Sequence, residues 1–226
     1  MMHTANDKEF QAEREAMVET IAAYAFFSAD LTDRQYLDER VIGAMAQIPR
    51  HAYVPRQVRH LAYADSPLPI GHGKTISQPF IVALMTDLLD LQEDDRVLEV
   101  GTGLGYQAAV LAELVDEVYS IEILQELAHG AEQRLDDAGY DNVNLRIGDG
   151  SYGWPEHGPF DKIIVTAAPE LIPPMLLQQL KPGGRMVIPA GIENAQKLLL
   201  VEREPTGRLT TREIIPVTFS PLIVSH

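Results

Sequence analysis

A glycine-rich turn between an apolar strand and an apolar helix constrains the fold of this 226-residue chain more than any other feature. Residues 97–100 have the apolar pattern of a buried parallel strand, and residues 108–111 that of a buried helix. Between them three glycines follow a G-x-G-x-G spacing, at Gly101, Gly103 and Gly105. Glycine permits a tight bend and close approach of a ligand to the backbone. This strand–turn–helix unit therefore predicts the ligand-binding crevice of an open α/β sheet.

The rest of the chain alternates between strand and helix patterns. Apolar runs predict five strands at 97–100, 117–121, 143–147, 162–166 and 185–189. Two later runs, 197–202 and 213–219, predict an antiparallel hairpin. Alternating strands and helices imply right-handed crossovers and parallel strands. We therefore predict an α/β fold with a doubly wound, mostly parallel seven-stranded sheet and an antiparallel C-terminal edge.

Helical patterns precede and separate these strands. They predict helices over 8–29, 33–46, 124–135 and 171–180; the third ends near Gly139 and the last is ended by Pro182-Gly183-Gly184. Residues 55–75 are rich in proline and glycine and predict a loop. Ser77 has the position of an N-cap for the amphipathic helix that follows it. We expect an N-terminal helical segment over 1–75 and a ligand-binding domain over 76–226, together forming one compact unit.

Composition narrows the function. The chain has 18 Lys and Arg against 33 Asp and Glu, a net charge of −15, which argues against sequence-independent nucleic-acid binding. The absence of cysteine excludes disulfides, thiolate catalysis and cysteine-based zinc sites. The seven histidines show no metal-ligand spacing, so no metal is expected. The acidic N-terminal residues do not resemble a signal peptide, and no apolar run is long enough for a membrane span. A cytoplasmic enzyme is therefore expected.

Three acidic positions identify the ligand class. Glu122 follows the second strand about 20 residues after Gly101, where a carboxylate accepts ribose hydroxyls. Asp149, beside Gly150, follows the third strand and can accept the exocyclic amine of an adenine. Glu99 precedes the glycines and can receive a cationic amine, or can instead pair with Arg96 or with a backbone donor. The ligand is therefore a nucleoside cofactor, and the G-x-G-x-G spacing favours S-adenosylmethionine over NAD.

A more specific pattern lies upstream of the glycine turn. The chain carries Ile48-Pro49-Arg50, Tyr53-Val54-Pro55, Ala62-Tyr63-Ala64-Asp65, Thr75-Ile76-Ser77-Gln78-Pro79, Gly139-Tyr140-Asp141-Asn142-Val143, Gly148-Asp149-Gly150, Phe160-Asp161, Thr166-Ala167-Ala168, Leu180-Lys181-Pro182-Gly183-Gly184 and Phe219-Ser220-Pro221-Leu222. With these motifs the chain, from about residue 33 to about 222, resembles the bacterial protein-L-isoaspartate (D-aspartate) O-methyltransferases. The Thr-Ile-Ser-x-Pro element separates this family from other S-adenosylmethionine methyltransferases.

The resemblance implies a repair enzyme. Such an enzyme methylates the α-carboxylate of L-isoaspartyl residues in damaged proteins and peptides, and the ester then closes to a succinimide. It implies Ser77 as the catalytic residue. The cofactor-binding set that we predict comprises Thr75, Ile76, Ser77, Glu99, Gly101, Thr102, Gly103, Leu104, Glu122, Asp149 and Gly150. The family usually has a small or hydroxyl residue in place of Leu104, which is expected to add bulk beside the methionine part of the cofactor.

The chemistry agrees with so small a catalytic set. A carboxylic acid has a pKa of about 4, so the acceptor is already an ionised nucleophile at neutral pH and needs no general base. Positioning alone can supply roughly 7–11 kcal/mol in the best cases. Ser77 at a helix N-terminus can donate to the acceptor carboxylate, or it can serve only as an N-cap.

Two other functions remain open from the sequence. The chain could methylate another peptide carboxylate, or it could bind S-adenosylmethionine without catalysis. The expected partners are isoaspartyl-containing proteins and peptides, with neither nucleic acid nor membrane, and the expected state is a monomer or a weak homo-oligomer.

Overall fold

Seven strands form one sheet at the centre of the computed structural model, which describes residues 9–225. The strands in this part of the chain are β1 Leu68–Gly71, β2 Lys74–Ile76, β3 Arg96–Val100, β4 Glu117–Glu122, β5 Val143–Ile147, β6 Phe160–Val165, β7 Leu180–Ala190, β8 Lys197–Arg203 and β9 Leu209–Pro216. The main sheet has the order β5-β4-β3-β6-β7-β8-β9, and β1 and β2 form a separate hairpin. The five strands from β3 to β7 are parallel to one another, whereas β8 is antiparallel to β7 and β9 is antiparallel to β8. The predicted fold class is confirmed.

The strand order determines where the sheet can bind a ligand. From β3 the chain proceeds outward through β4 to β5, and then returns to β6 on the other side of β3. The carboxyl ends of β3 and β6 therefore lie at the point where the strand order reverses. Open α/β sheets bind their ligands in the crevice at such a point.

Helices cover both faces of this sheet. They are α1 Gln11–Phe27, α2 Ala29–Thr32, α3 Glu39–Gln47, α4 Pro79–Leu88, α5 Tyr106–Ala112, α6 Gln125–Ala138 and α7 Pro174–Gln178. Within β3, Val97 belongs to the apolar cluster that includes residues of α1, α3 and α4, whereas Leu98 belongs to the cluster on the opposite face. A parallel strand buried on both faces explains the continuous apolar pattern of this segment.

The end of α6 follows directly from its sequence. A stripe of small and apolar residues is buried on one face of this helix, and Gly139 ends it with a left-handed φ of 85°. The Tyr140 N–H donates to the Leu135 carbonyl at 3.0 Å, as in a Schellman motif. The predicted end of this helix at Gly139 is confirmed.

Two predicted helices differ from those in the structure. The helix predicted over 33–46 begins only at Glu39, because Asp33 takes a left-handed φ of 58° and Asp38 caps the Arg40 N–H at 2.8 Å. The helix predicted over 171–180 shortens to α7, since Pro173 and Pro174 exclude the preceding residues from a helix. Residue 8 of the first predicted helix lies outside the described residues.

Two of the later predicted strands have other bounds in the structure. Pro182-Gly183-Gly184 does not end a helix but lies inside β7, where the register with β6 shifts between Phe160 and Lys162. Gly183 takes a positive φ of 83° there, which a non-glycine residue adopts only with strain. The last strand runs over Leu209–Pro216 rather than 213–219. The predicted loop over 55–75 contains the hairpin of β1 and β2.

The two segments that we distinguished by sequence share one core. Met17, Met45 and Tyr53 of the first segment belong to the same apolar cluster as Leu84 and Val110 of the second. Among residues 9–225, no helix combines the length and the apolar character required to cross a membrane.

Candidate active site

A cavity of about 720 Å³ lies at the carboxyl ends of β3, β4 and β6, within the size range typical of small-molecule sites. Six of the predicted site residues line it, namely Thr75, Ser77, Gly101, Gly103, Glu122 and Gly150. The other five, Ile76, Glu99, Thr102, Leu104 and Asp149, are not among its lining residues. The fold thus brings the Ser77 element and the glycine turn to one cavity, although they are separate in sequence.

The glycine turn is held by bonds to both neighbouring strands. The Gly101 N–H donates to the Ile121 carbonyl at 2.8 Å, and Thr166 Oγ1 donates to the Gly101 carbonyl at 2.7 Å. Gly101 has a φ of 99°, and a methyl group on its Cα would overlap Thr166 Oγ1. Position 101 therefore requires glycine both for its backbone angle and for space.

The space requirement at Gly101 can be separated from the backbone requirement. Gly207, in the turn between β8 and β9, has a φ of 90° but nothing within 4 Å of an added methyl group. We expect Gly101→Ala to lower the free energy of unfolding by about 1–3 kcal/mol more than Gly207→Ala, because only the former also overpacks. Denaturant unfolding of both variants measures the difference, and equal losses would contradict the steric argument.

Glu122 organises the same turn. It is only 6% exposed, and its two carboxylate oxygens accept from the Gly103 N–H at 2.8 Å and from the Leu124 N–H at 3.0 Å. A carboxylate oxygen can accept more than one hydrogen bond, so capacity remains toward the cavity that Glu122 lines. The side chain is thus fixed before any hydroxyl group binds.

Glu122→Gln tests this role. The amide retains one acceptor oxygen, but its NH2 group cannot accept from a backbone N–H or a ribose hydroxyl. We expect the affinity for S-adenosylhomocysteine to fall about ten-fold, which corresponds to the loss of a hydrogen bond to a charged group. Isothermal calorimetry measures it. An unchanged dissociation constant, with an unchanged unfolding midpoint, would remove Glu122 from the cofactor site.

Glu99 is fully buried beneath the turn. Ser120 Oγ donates to its Oε2, Thr102 Oγ1 lies 2.6 Å from Ser120 Oγ, and Oε1 has no hydrogen-bond partner among the described residues. Burial raises the pKa of Glu99 to about 8, although the Ser120 hydrogen bond opposes this. The alternative pairing with Arg96 does not occur, because Arg96 donates to Glu117 at 2.8 Å instead.

Asp149 holds two segments together. Its Oδ1 accepts from the Ser151 N–H at 2.9 Å, and its Oδ2 accepts from the N–H and hydroxyl of Ser225 at 2.7 and 3.1 Å. Burial opposes ionisation, but these bonds outweigh it and hold the pKa of Asp149 below its ordinary value. Gly150, directly after it, packs so closely that a methyl group there would overlap Val100. Asp149 is thus both a turn-forming residue and a fixed acceptor at the sheet edge.

Ser77 is not the N-cap that the sequence predicts. The helix α4 starts at Pro79 and has Gln78 as its N-cap, with no side-chain capping bond from that residue. The capping acceptor comes instead from Asp65, whose Oδ1 accepts from the Phe80 N–H at 2.8 Å and whose Oδ2 accepts from Gln78 Nε2 at 2.5 Å. Pro79 has no N–H and the Phe80 N–H donates to Asp65, so neither backbone position that an N-cap side chain at Ser77 would use has a free donor.

The side chain of Leu104 is buried, with 7% exposure, in the apolar cluster that includes residues of α1, α3 and α4. Its bulk therefore fills the core, and a contact between this residue and the cofactor stays a prediction. The expected small or hydroxyl residue is replaced here by one that gains apolar burial.

Residues 216–223 form the far wall of the cavity. Their placement depends on hydrogen bonds to residues distant in the sequence. Gln196 clamps Phe219 by donating to its carbonyl at 3.1 Å and accepting from its N–H at 2.6 Å. The segment 219–222 is not a strand but joins Ala168 through a parallel bridge at Pro221. Gln196 and Asp65 carry no local sequence signal, because each acts across more than ten residues.

Comparison with known proteins agrees with this geometry. A protein-L-isoaspartate O-methyltransferase 1 from Polaromonas sp. is 57% identical over 219 residues, which are 97% of this chain and 93% of that protein. A solved protein-L-isoaspartate O-methyltransferase is 27% identical with a TM-score of 0.80, over 92% of this chain and 65% of that one. A Plasmodium falciparum structure named for the same activity, in complex with S-adenosyl-L-homocysteine, has the same fold at 23% identity, with a TM-score of 0.76 over 93% and 98% of the two chains.

The sheet, its switch-point cavity and the glycine turn define an S-adenosylmethionine-dependent methyltransferase fold. The sequence profile described as Protein-L-isoaspartate(D-aspartate) O-methyltransferase matches residues 24–226. The chain belongs to this family. The predicted family, enzyme class and cofactor, S-adenosylmethionine, are thereby confirmed.

Proposed function

We propose that the protein transfers a methyl group from S-adenosylmethionine to the α-carboxylate of L-isoaspartyl residues in damaged proteins and peptides, which initiates repair through a succinimide. One observation carries the proposal beyond the family match. Ser77, from the element specific to this family, lines the same cavity as Gly101, Gly103 and Glu122. Methyl donor and acceptor can therefore meet in one cavity.

The residues on the sheet side of the cavity fit the cofactor. Glu122 would accept from the ribose hydroxyls, and Asp149 from the adenine amine in exchange for Ser225. Glu99 Oε1 has no partner among the described residues and could accept from a cationic amine, whose charge would in turn favour the ionised form of this carboxyl; Thr102 orients Glu99 through Ser120. Gly101, Gly103, Leu104 and Gly150 would contact the cofactor through their backbone, and Thr75 and Ile76 from the hairpin side. When bound, S-adenosylmethionine supplies an electrophilic methyl group on a positively charged sulfur.

Ser77 faces the acceptor. An isoaspartyl carboxylate is ionised at neutral pH, so the protein has only to hold one of its oxygens in line with the methyl group and exclude water. Since Pro79 lacks an N–H and the Phe80 N–H donates to Asp65, the first two residues of α4 offer no free backbone donor. The Ser77 hydroxyl is therefore the side-chain donor that we assign to the acceptor carboxylate.

Transfer of labelled methyl groups tests the function. Purified protein is incubated with labelled S-adenosylmethionine and a peptide in its isoaspartyl, aspartyl or D-aspartyl form. We expect transfer to the isoaspartyl form and little to the aspartyl form. Preferential labelling of the aspartyl form would indicate a methyltransferase for another carboxylate. Cofactor binding without transfer to any peptide would indicate a non-catalytic binding protein.

The remaining expectations follow from the same proposal. The net charge of −15 is consistent with protein substrates rather than nucleic acid. We propose a cytoplasmic location, a monomer or weak homo-oligomer, and a substrate-side role for residues 1–75 against a cofactor-binding role for 76–226.

A further inference from the structure

A buried guanidinium lies behind the Ser77 loop, and the proposed function does not yet use it. Arg50 is fully buried, in the 3-10 turn Arg50–Ala52. Its Nη2 donates to the Ser77 carbonyl at 2.7 Å, and its Nε donates to the Ala62 carbonyl at 2.8 Å. Its Cζ lies 4.8 Å from the centre of the Tyr106 ring, within the range of a cation–π contact.

Burial of a charged guanidinium costs solvation free energy. Within residues 9–225 Arg50 forms no ion pair, and burial lowers its pKa. A charged side chain almost never becomes fully buried without a paired charge. Two carbonyls and an aromatic face are the partners that compensate here, and one of those carbonyls belongs to the proposed catalytic residue.

The bond to Ser77 determines the direction of a second donor. A peptide unit is planar and trans, so the Ser77 carbonyl and the Gln78 N–H point in opposite directions. Because Arg50 holds the carbonyl toward the interior, the Gln78 N–H is directed away from the interior. Ser77 and Gln78 both line the cavity. Asp65 holds the other side of the loop through Gln78 Nε2 and the Phe80 N–H.

We propose that Arg50 is a positioning residue for the acceptor site: it fixes the Ser77–Gln78 peptide so that the Ser77 hydroxyl and the Gln78 N–H together bind the acceptor carboxylate. The inference rests on the proposed function. Two donors on one carboxylate fix its rotation as well as its position, and thereby choose the oxygen that faces the methyl group.

A double-mutant cycle tests whether Arg50 acts through Ser77. Arg50→Lys keeps a cation but loses the rigid fork of donors. We expect kcat for an isoaspartyl peptide to fall about ten-fold or more in the native background, and by a clearly smaller factor in a Ser77→Ala background, where only the Gln78 N–H is left for Arg50 to position. The dissociation constant of S-adenosylhomocysteine should stay within about two-fold in both. Equal factors in the two backgrounds would overturn the proposal.

Arg203→Lys is the matched control. Arg203 also donates to two backbone carbonyls, those of Leu177 at 3.3 Å and Leu180 at 2.9 Å, but it does not line the cavity. We expect this variant to lower the unfolding midpoint and to leave kcat unchanged, measured well below that midpoint. A loss of kcat like that of Arg50→Lys would mean that an arginine that holds two backbone carbonyls affects kcat through stability alone.

A second pair of variants keeps the test decisive if Arg50→Lys does not fold. Gln78 has a φ of −51°, which proline can adopt, so Gln78→Pro removes the N–H while Gln78→Ala removes only the side chain. We expect kcat of Gln78→Pro to lie about ten-fold below that of Gln78→Ala, as for loss of a hydrogen bond to a charged acceptor. Equal kcat values would overturn the proposal. The unsubstituted protein, assayed alongside, shows separately whether the isoaspartyl activity itself holds.

Discussion

Ser77→Ala is expected to lower kcat for an isoaspartyl peptide by about 10- to 100-fold, because the acceptor carboxylate loses a charge-assisted hydrogen bond of about 1.5–3 kcal/mol. The dissociation constant of S-adenosylhomocysteine should change little. Ser77 lines the cavity but caps no helix, so its removal leaves the start of α4 intact. Steady-state kinetics and calorimetry on the same preparation measure the two quantities.

The control for this prediction is Ser66→Ala. Ser66 belongs to the preceding loop and does not line the cavity, so we expect this variant to leave kcat unchanged. A loss of cofactor affinity as large as the loss of kcat would show that Ser77 only shapes the cavity. A loss of stability without either change would show that it serves only the fold.

The second large effect concerns pH and Glu99. This fully buried carboxyl has its pKa raised to about 8 from an ordinary value of 4.5, first by burial and further by the nearby Glu122 charge. Between these two values the native state keeps a proton that the unfolded chain has lost. The free energy of unfolding therefore falls as pH rises, with a slope of about 1.4 kcal/mol per pH unit at most.

Glu99→Gln isolates that contribution, because glutamine has the same shape and does not titrate. We expect the native protein to lose roughly 4–5 kcal/mol relative to the variant between pH 4.5 and 8, with no further change above or below this window. Denaturant unfolding at several pH values measures the difference. Parallel stability curves for the two proteins would show that Glu99 is not protonated in the native state.

The sheet was predictable because its signals are local. Each strand of the β3-to-β7 series has its own apolar run, and Gly139 ends α6 by a backbone angle that glycine adopts without strain. The prediction failed where a local signal had two meanings. Pro182-Gly183-Gly184 is typical of a helix end, yet it forms an irregular part of β7, because pairing with β6 outweighs the local preference.

The acidic positions of the candidate site were also predictable from the sequence. Glu122 and Asp149 follow strands, and the carboxyl ends of neighbouring parallel strands meet at one edge, so their approach to Gly101 follows from topology alone. The prediction that Ser77 is the N-cap of α4 was wrong, because Asp65, in a loop 15 residues before Phe80, accepts the N–H of that residue instead. Likewise no local pattern indicates the hydrogen bond that the Ser225 N–H donates to Asp149, 76 positions earlier in the chain.

By itself, the sequence determined the fold class, the family and the cofactor edge, because hydrophobic period, glycine spacing and motif order are properties of neighbouring residues. Only the tertiary structure decided what lies behind the site: Arg50 on the Ser77 carbonyl, Asp65 on the start of α4, and beneath the turn Glu99, whose Oε1 has no hydrogen-bond partner among the described residues. These depend on which distant backbone groups packing brings within hydrogen-bond distance and removes from water. No local pattern records that arrangement.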